Sequence, residues 1–272
     1  MDCIALKYLM KKIVLLIALD CFVQIASAQT SENCLNDFGL KGNVKEITDF
    51  TYRGSINETN PDNLKHPEKS IIKFDKDGNE LEESVFDMYG KISSKSLFIY
   101  KEDKSVVKNQ YDGNGMLQGR YVFKYNEKGN KTEFDTYYGP ELKLVSKVIY
   151  KHDANGNKIE EDTYDAGRFL TEKAVFRYNE KNQKVEGYQG WFLPNVNKKE
   201  RLLFKYDDPV NQITSDIYDL SGKLTGENST TLSNIDDQGN WQVKLVELKG
   251  YGPSKENILF KNITKRSIKY YW

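Results

Sequence analysis

Apolar and polar side chains alternate along most of the chain with a period of two. From Arg120 to Tyr125, Tyr121, Phe123 and Tyr125 fall on one side and Arg120, Val122 and Lys124 on the other. Ala174, Phe176 and Tyr178 repeat the pattern against Val175 and Arg177, and Leu202, Phe204 and Tyr206 against Leu203 and Lys205. A period of two marks a half-buried β-strand. One face is aromatic, and the other mixes Lys, Arg, Glu and Thr with some Val and Leu. No helical stripe follows residue 28.

Two classes of turn separate these strands. The first reads Phe74-Asp75-Lys76-Asp77-Gly78-Asn79 and returns at Tyr125–Asn130, Asp153–Asn157 and Asp236–Asn240, with eroded copies at Tyr178–Gln183 and Tyr206–Pro209. The second reads Phe86-Asp87-Met88-Tyr89-Gly90 and returns at Tyr111–Gly115, Tyr164–Gly167 and Tyr218–Gly222. An Asp or Asn at the first position can accept hydrogen bonds from the turn backbone. The glycine that follows can take the left-handed conformation that closes a type I turn with a bulge. The turn glycines are Gly78, Gly90, Gly115, Gly129, Gly156, Gly167, Gly222 and Gly239, and Asn182 stands in for one. Gly129 and Gly156 are 27 residues apart, Gly90 and Gly115 25 apart. Each unit of this length therefore holds two turns and two strands, and the chain is a repeat.

The count implies about 14–16 strands, a strip about 75 Å wide if laid flat at the usual strand spacing. Open sheets of that width curl. The expectation is all-β: an elongated, curled antiparallel meander of β-hairpins whose two edge strands stay free and offer a route to a homodimer. Residues 54–69, 192–199 and 250–256 read as longer loops.

The N-terminus changes the picture of where the chain works. Residues 1–28 have Lys7, Lys11 and Lys12, then an apolar run, then Ala26-Ser27-Ala28. This reads as a signal peptide cleaved after Ala28, to be followed by a lead-in segment at 29–42 and one YD-like repeat domain at 43–272. The apolar run is shorter than the ~20 residues a membrane span needs, so no transmembrane span is expected after cleavage. The chain would be secreted or periplasmic, or held at the cell surface. Cleavage removes Cys3 and Cys21 and leaves Cys34 alone, so no internal disulfide is expected. The full chain balances 40 basic against 40 acidic residues. That offers none of the basic excess of a nucleic-acid binder.

The repeated Tyr-Asp-x-x-Gly turns, alternating with Gly-Asn turns, resemble the YD repeats of Rhs-like proteins. The opening Gly39-Leu40-Lys41-Gly42-Asn43-Val44-Lys45 and the closing Gly239-Asn240-Trp241 resemble the short secreted YD-repeat proteins of the Bacteroides type. The likeness covers roughly residues 39–271. It implies an array of hairpins, and the chain leaves no room for the C-terminal toxin of the large members. A weaker resemblance is to MORN-like hairpin arrays.

Candidate chemistry is sparse. Asp75, Asp77 and Asn79 alternate as calcium ligands do, but Gly78 falls at the fourth position, where an EF-hand loop needs glycine at the sixth. His152 precedes Asp153, yet neighbours on a strand point to opposite faces. There is no Gly-x-Ser-x-Gly, P-loop or His-Glu-x-x-His. No catalytic residue, metal site or cofactor is assigned, and the chain reads as a non-enzyme. Tyr188, Trp191, Trp241 and Tyr251 are the candidate ligand-binding residues, since flat amphipathic rings suit a glycan or peptide. The expected function is an exported binding or envelope-associated scaffold with an unknown protein or glycan partner. The alternatives are a glycan-binding or glycan-processing protein, or an accessory or immunity protein of a toxin system.

Overall fold

The computed structural model describes residue 35 and residues 38–55, 67–193, 196–207, 211–251 and 257–271. The expected signal peptide and its cleavage point, Cys34 and most of the lead-in segment lie outside the described residues. The first half of the fold is β1 (Val44–Ser55), β2 (Glu68–Phe74), β3 (Glu80–Phe86), β4 (Ile92–Tyr100), β5 (Val106–Asp112), β6 (Leu117–Tyr125), β7 (Lys131–Tyr138) and β8 (Lys143–His152). The second half is β9 (Lys158–Asp165), β10 (Leu170–Tyr178), β11 (Lys184–Leu193), β12 (Val196–Asp207), β13 (Gln212–Asp219), β14 (Leu224–Ile235), β15 (Trp241–Tyr251) and β16 (Asn257–Tyr270). Every neighbouring pair is antiparallel, and β1 pairs with β16 to close the sheet into a barrel.

Closure corrects the expected open meander. The strand count and the all-β class agree with the sequence, but the two edges satisfy each other. Eleven register partners run from Val44↔Tyr270 to Ser55↔Phe260. The physical reason is that a twisted sheet this wide brings its first and last strands together, and pairing them satisfies two rows of backbone groups that would otherwise face water. The edges through which a homodimer was expected to form are therefore spent on each other. The loops are also shorter than expected. β11 and β12 pair as far as Leu193↔Val196 across the supposed 192–199 insertion, β1 runs on to Ser55 and β2 starts at Glu68, and β15 ends at Tyr251.

Both turn classes share one geometry. In the first, Asp75 N–H donates to Asn79 O and Gly78 N–H to Asp75 O, while Asp75 Oδ1 accepts from the amides of Asp77 and Asn79 at 2.9 Å. Asp87, Asp112 and Asp219 do the same in the second class. The described turns before β3, β5, β7, β9, β11 and β15 lie at one end of the barrel, and those before β4, β6, β8, β10 and β14 at the opposite end. One turn departs from the sequence reading: Arg168, not Gly167, occupies the left-handed position, at φ 65°. Lys104 does so, at φ 62°, in a turn over Lys101–Ser105 that has no glycine to announce it.

The first end has a turn split between the segment that enters β1 and the segment that leaves β16. Tyr271 N–H donates to Asn43 O at 2.8 Å, as Asp75 N–H donates to Asn79 O within its own turn. Gly42, at φ 78°, stands where Gly78 stands. The fully buried Asn240 locks this seam. Its Oδ1 accepts from Lys41 N–H at 2.7 Å, and its Nδ2 donates to Lys41 O and to Tyr270 OH. Beside it lies the main apolar cluster of Leu35, Leu40, Val44, Ile47, Ile72 and Phe74.

The two faces differ as the alternation predicts. On one, acids on odd strands sit between cations on their neighbours. Glu82 lies 3.2 Å from Lys73 and 2.9 Å from Lys95, and Glu186 lies 3.1 Å from Arg177 and 2.6 Å from Arg201. Glu160 lies 2.6 Å from Lys151 and 3.0 Å from Lys173, and these two ammonium groups hold its carboxyl down at about 2. On the other face, lysines lie over rings, as Lys131 over Phe123 and Lys184 over Phe176 at 4.0 Å. Side chains converge on a concave wall and splay on a convex one. Val148, Ala174, Phe176 and Leu202 on the aromatic face are buried, while Lys73, Lys124, Lys151, Arg177 and Lys205 on the charged face are exposed. The aromatic face is the inner wall.

Candidate binding site on the inner wall

The register of β10, β11 and β12 builds one polar patch around a tryptophan. Trp191 on β11 faces Glu172 across one strand pairing and Lys198 across the other. All three project from the inner wall, because directly paired residues share a face. The Lys198 ammonium lies 5.6 Å from the Trp191 ring centroid and pairs with Glu200 on its own strand. Gln189, two residues before Trp191 and so on the same face, donates from Nε2 to Glu172 Oε1. Glu161 on β9 follows along the wall, opposite Ala174, with its Oε2 2.6 Å from Lys158 Nζ.

Electrostatics make Glu172 the distinctive member. Burial pushes its carboxyl above the usual glutamate range, and the nearby charge of Glu161 adds to that, against the opposing hydrogen bond from Gln189. A half-exposed indole with a carboxyl on one side and an ammonium on the other presents a stacking surface edged by hydrogen-bonding groups. That suits a ligand with a flat apolar face and hydroxyl or amide substituents.

The structure does not gather the four aromatics singled out in the sequence into one platform. Tyr188 is three residues from Trp191 and projects from the charged outer face, where its hydroxyl donates to Glu186 Oε1 at 2.8 Å and Arg201 lies over its ring. Trp241 is buried, with the Arg266 guanidinium stacked on it at 3.8 Å. Arg266 in turn forms a bidentate pair with Asp49, both contacts 2.7 Å, so this indole is a wall of the seam. Tyr251 ends β15, and the neighbouring Glu227 carboxylate raises its hydroxyl above the ordinary tyrosine range. Of the four, only Trp191 has the inner-wall partners of a binding site.

His152 and Asp153 form no dyad. Asp153 Oδ1 accepts the amides of Asn155 and Asn157, and Oδ2 accepts Asn157 Nδ2, all at 2.9 Å. Burial and the nearby Lys158 lower the imidazole below its ordinary range, although Asp153 opposes them. Both Asp75 oxygens are likewise taken up by the turn, with Oδ2 accepting from Asn79 Nδ2.

The sequence missed Glu172, Gln189 and Lys198. Alternation places each on a face, but only the register says which lie opposite Trp191, and that register depends on how tightly the β11–β12 hairpin closes.

No known protein family and no curated protein matches this chain. Among solved structures, a porin-like protein from Bacteroides uniformis is similar over 85% of this chain and 98% of its own, at 8% identity and a TM-score of 0.54. The shared property is the fold, an all-β barrel. The TcdB2-TccC3 toxin complex aligns over 80% of this chain and 16% of its own, at 11% identity and a TM-score of 0.26. A protein of unknown function from Bacteroides fragilis aligns over 62% of this chain and 94% of its own, at 11% identity and a TM-score of 0.18. These two superpositions are too loose to carry an argument.

Proposed function

We propose that this chain is an exported, non-enzymatic barrel built on a YD-like hairpin repeat, serving the cell envelope as a water-facing binding scaffold. The observation that carries the reading is charge on both walls. A barrel that spans an outer membrane needs an outward apolar band about 25 Å tall. Here the outer wall bears the ion-pair ranks of Glu82, Glu133, Glu160 and Glu186, and the inner wall bears Lys131, Lys158 and Lys184 over its rings. The scaffold therefore stands in water with its strands clear of lipid hydrocarbon. The turn chemistry of Asp75, Asn126, Asp153 and Asp236 supports kinship with YD repeats. Fractionation of the native cell tests the reading. The protein should sit in an envelope or extracellular fraction and come free in salt or mild alkali. Retention in the cytoplasm, or release by detergent alone, would defeat the proposal.

A second reading, glycan binding, is favoured by the inner-wall arrangement of Trp191, Glu172 and Lys198. Trp191→Ala should abolish any sugar-dependent fluorescence change, while Trp241→Phe leaves it intact. A glycan array without response from the parent protein rejects this reading and leaves the scaffold in place.

A further inference from the structure

The two ends of the barrel differ in chemistry. At the end carrying the Gly-Asn turns, the described tips are Lys76-Asp77, Glu102-Asp103, Glu127-Lys128, Ala154-Asn155, Glu180-Lys181 and Asp237-Gln238. None holds a large apolar residue; Leu81, Ile99, Tyr100 and Ile235 are exposed nearby, but within strands. At the opposite end, each described turn carries at least one exposed apolar side chain at or beside its tip. Tyr89 is 86% exposed, Leu220 73%, Phe169 72% and Met116 65%, Met88 is also exposed, and in the turn before β8 the exposed apolar residue is Pro140. Isolated apolar residues on a surface need no explanation. Their concentration on the described turn tips of one end, and their absence from those of the other, do.

We propose that this end of the barrel docks on an anionic lipid surface, the turn tips entering the headgroup region while the strands stay in water. The proposal deepens the envelope reading above and rests on it for location only. Two features select lipid over a second copy of the chain. The apolar groups stand on separate tips, which a fluid interface accepts singly, whereas a protein partner needs a continuous patch of about 800 Å² on each side. The tips also carry exposed cations, Lys91 after Tyr89, Arg168 before Phe169 and Lys223 after Leu220. The aspartates of these turns, Asp87, Asp112, Asp165 and Asp219, are half-buried and each accept backbone amides of their own turn, and the exposed Glu141 before β8 is paired with Lys143 at 2.7 Å. Two copies stacked end to end would set these cations against each other, while anionic headgroups complement them. Aromatic and aliphatic tips beside Lys and Arg are the composition of interfacial anchors.

Flotation of the purified protein with vesicles tests this, using phosphatidylcholine alone and phosphatidylcholine with about one third phosphatidylglycerol. The parent protein should float with both and more strongly with the anionic vesicles. The triple variant Tyr89→Ser, Phe169→Ser, Leu220→Ser should lose about tenfold or more of that partitioning with an unchanged far-ultraviolet spectrum. Lys91→Ser, Arg168→Ser, Lys223→Ser should lose only the preference for anionic vesicles, and it keeps the test alive if the first triple fails to fold. Lys128→Ser, Lys181→Ser at the other end should change nothing. Absence of flotation by the parent, undiminished flotation of both triple variants, or a solution dimer that the apolar variant dissolves would overturn the proposal. Any of these in a protein still found in the envelope sinks the docking and spares the scaffold reading.

Discussion

Single residues show how closely the turn chemistry follows elementary rules and where it lapses. Gly78, Gly115, Gly129 and Gly222 all adopt φ of 80° or more, a region in which a side chain costs about 1–2 kcal/mol. These positions are legible because only glycine or asparagine sits there without penalty, and Asn182 at φ 58° follows the rule. The turn at Asp165 breaks it. Its glycine comes one residue early, and Arg168 takes the left-handed place because the hydrogen bonds Asp165 N–H to Phe169 O and Arg168 N–H to Asp165 O fix a five-residue loop. Spacing alone hides this, since the glycine is present and merely displaced. Arg168→Gly should raise stability by about 1 kcal/mol, read as a higher denaturant midpoint with unchanged slope. A lower midpoint would mean that the arginine makes contacts worth more than its strain.

At the scale of the strand pair, a tyrosine at the end of one strand reaches back to the start of the strand before it. Tyr100 OH donates to Glu80 O, Tyr178 OH to Lys158 O and Tyr206 OH to Lys184 O, all between 2.8 and 2.9 Å; at the seam, Tyr271 OH donates instead across β1 to Phe74 O at 2.6 Å. In each of the first three, the ring fills the inner wall and the hydroxyl satisfies a carbonyl beside the turn. Alternation predicted the face of these rings. It did not predict the reach, because a contact some 20 residues away depends on register. Burial raises the hydroxyls of Tyr121, Tyr178 and Tyr206, and burial with the Asp236 carboxylate pushes Tyr270 up to about 12. A folded-state value above the unfolded one, near 10, gives stability that is complete below pH 10 and lost as pH climbs from there toward 12. Thermal melts from pH 8 to 11.5 should therefore show a falling midpoint above pH 10. Tyr206→Phe should flatten that fall while lowering stability near neutrality by about 1 kcal/mol. A midpoint indifferent to alkali would count against buried tyrosine as the support of the wall.

For the molecule as a whole, the repeat was readable and the ring was not. Equal turns and alternating faces specify hairpins laid side by side, but closure depends on summed twist and on whether the last strand meets the first in register. The matched segments, Gly42-Asn43 before β1 and Tyr270-Tyr271 at the end of β16, are intelligible only as two halves of one turn. Deleting residues 257–271 should strip β1 and β15 of a partner at once. The expected result is loss of cooperative melting and growth of light scattering as two long edges open. A soluble, cooperatively folding truncation would show that the seal contributes little. The divided corner also places the approach to β1 and the exit from β16 within a hydrogen bond of each other, and a direct peptide link from Tyr271 to Leu40 would complete a corner of ordinary length. A circle of near-equal units has no privileged starting point. A gene rearranged to begin at Val196 and finish at Leu193 should encode the same ring, its ends merely moved to another hairpin.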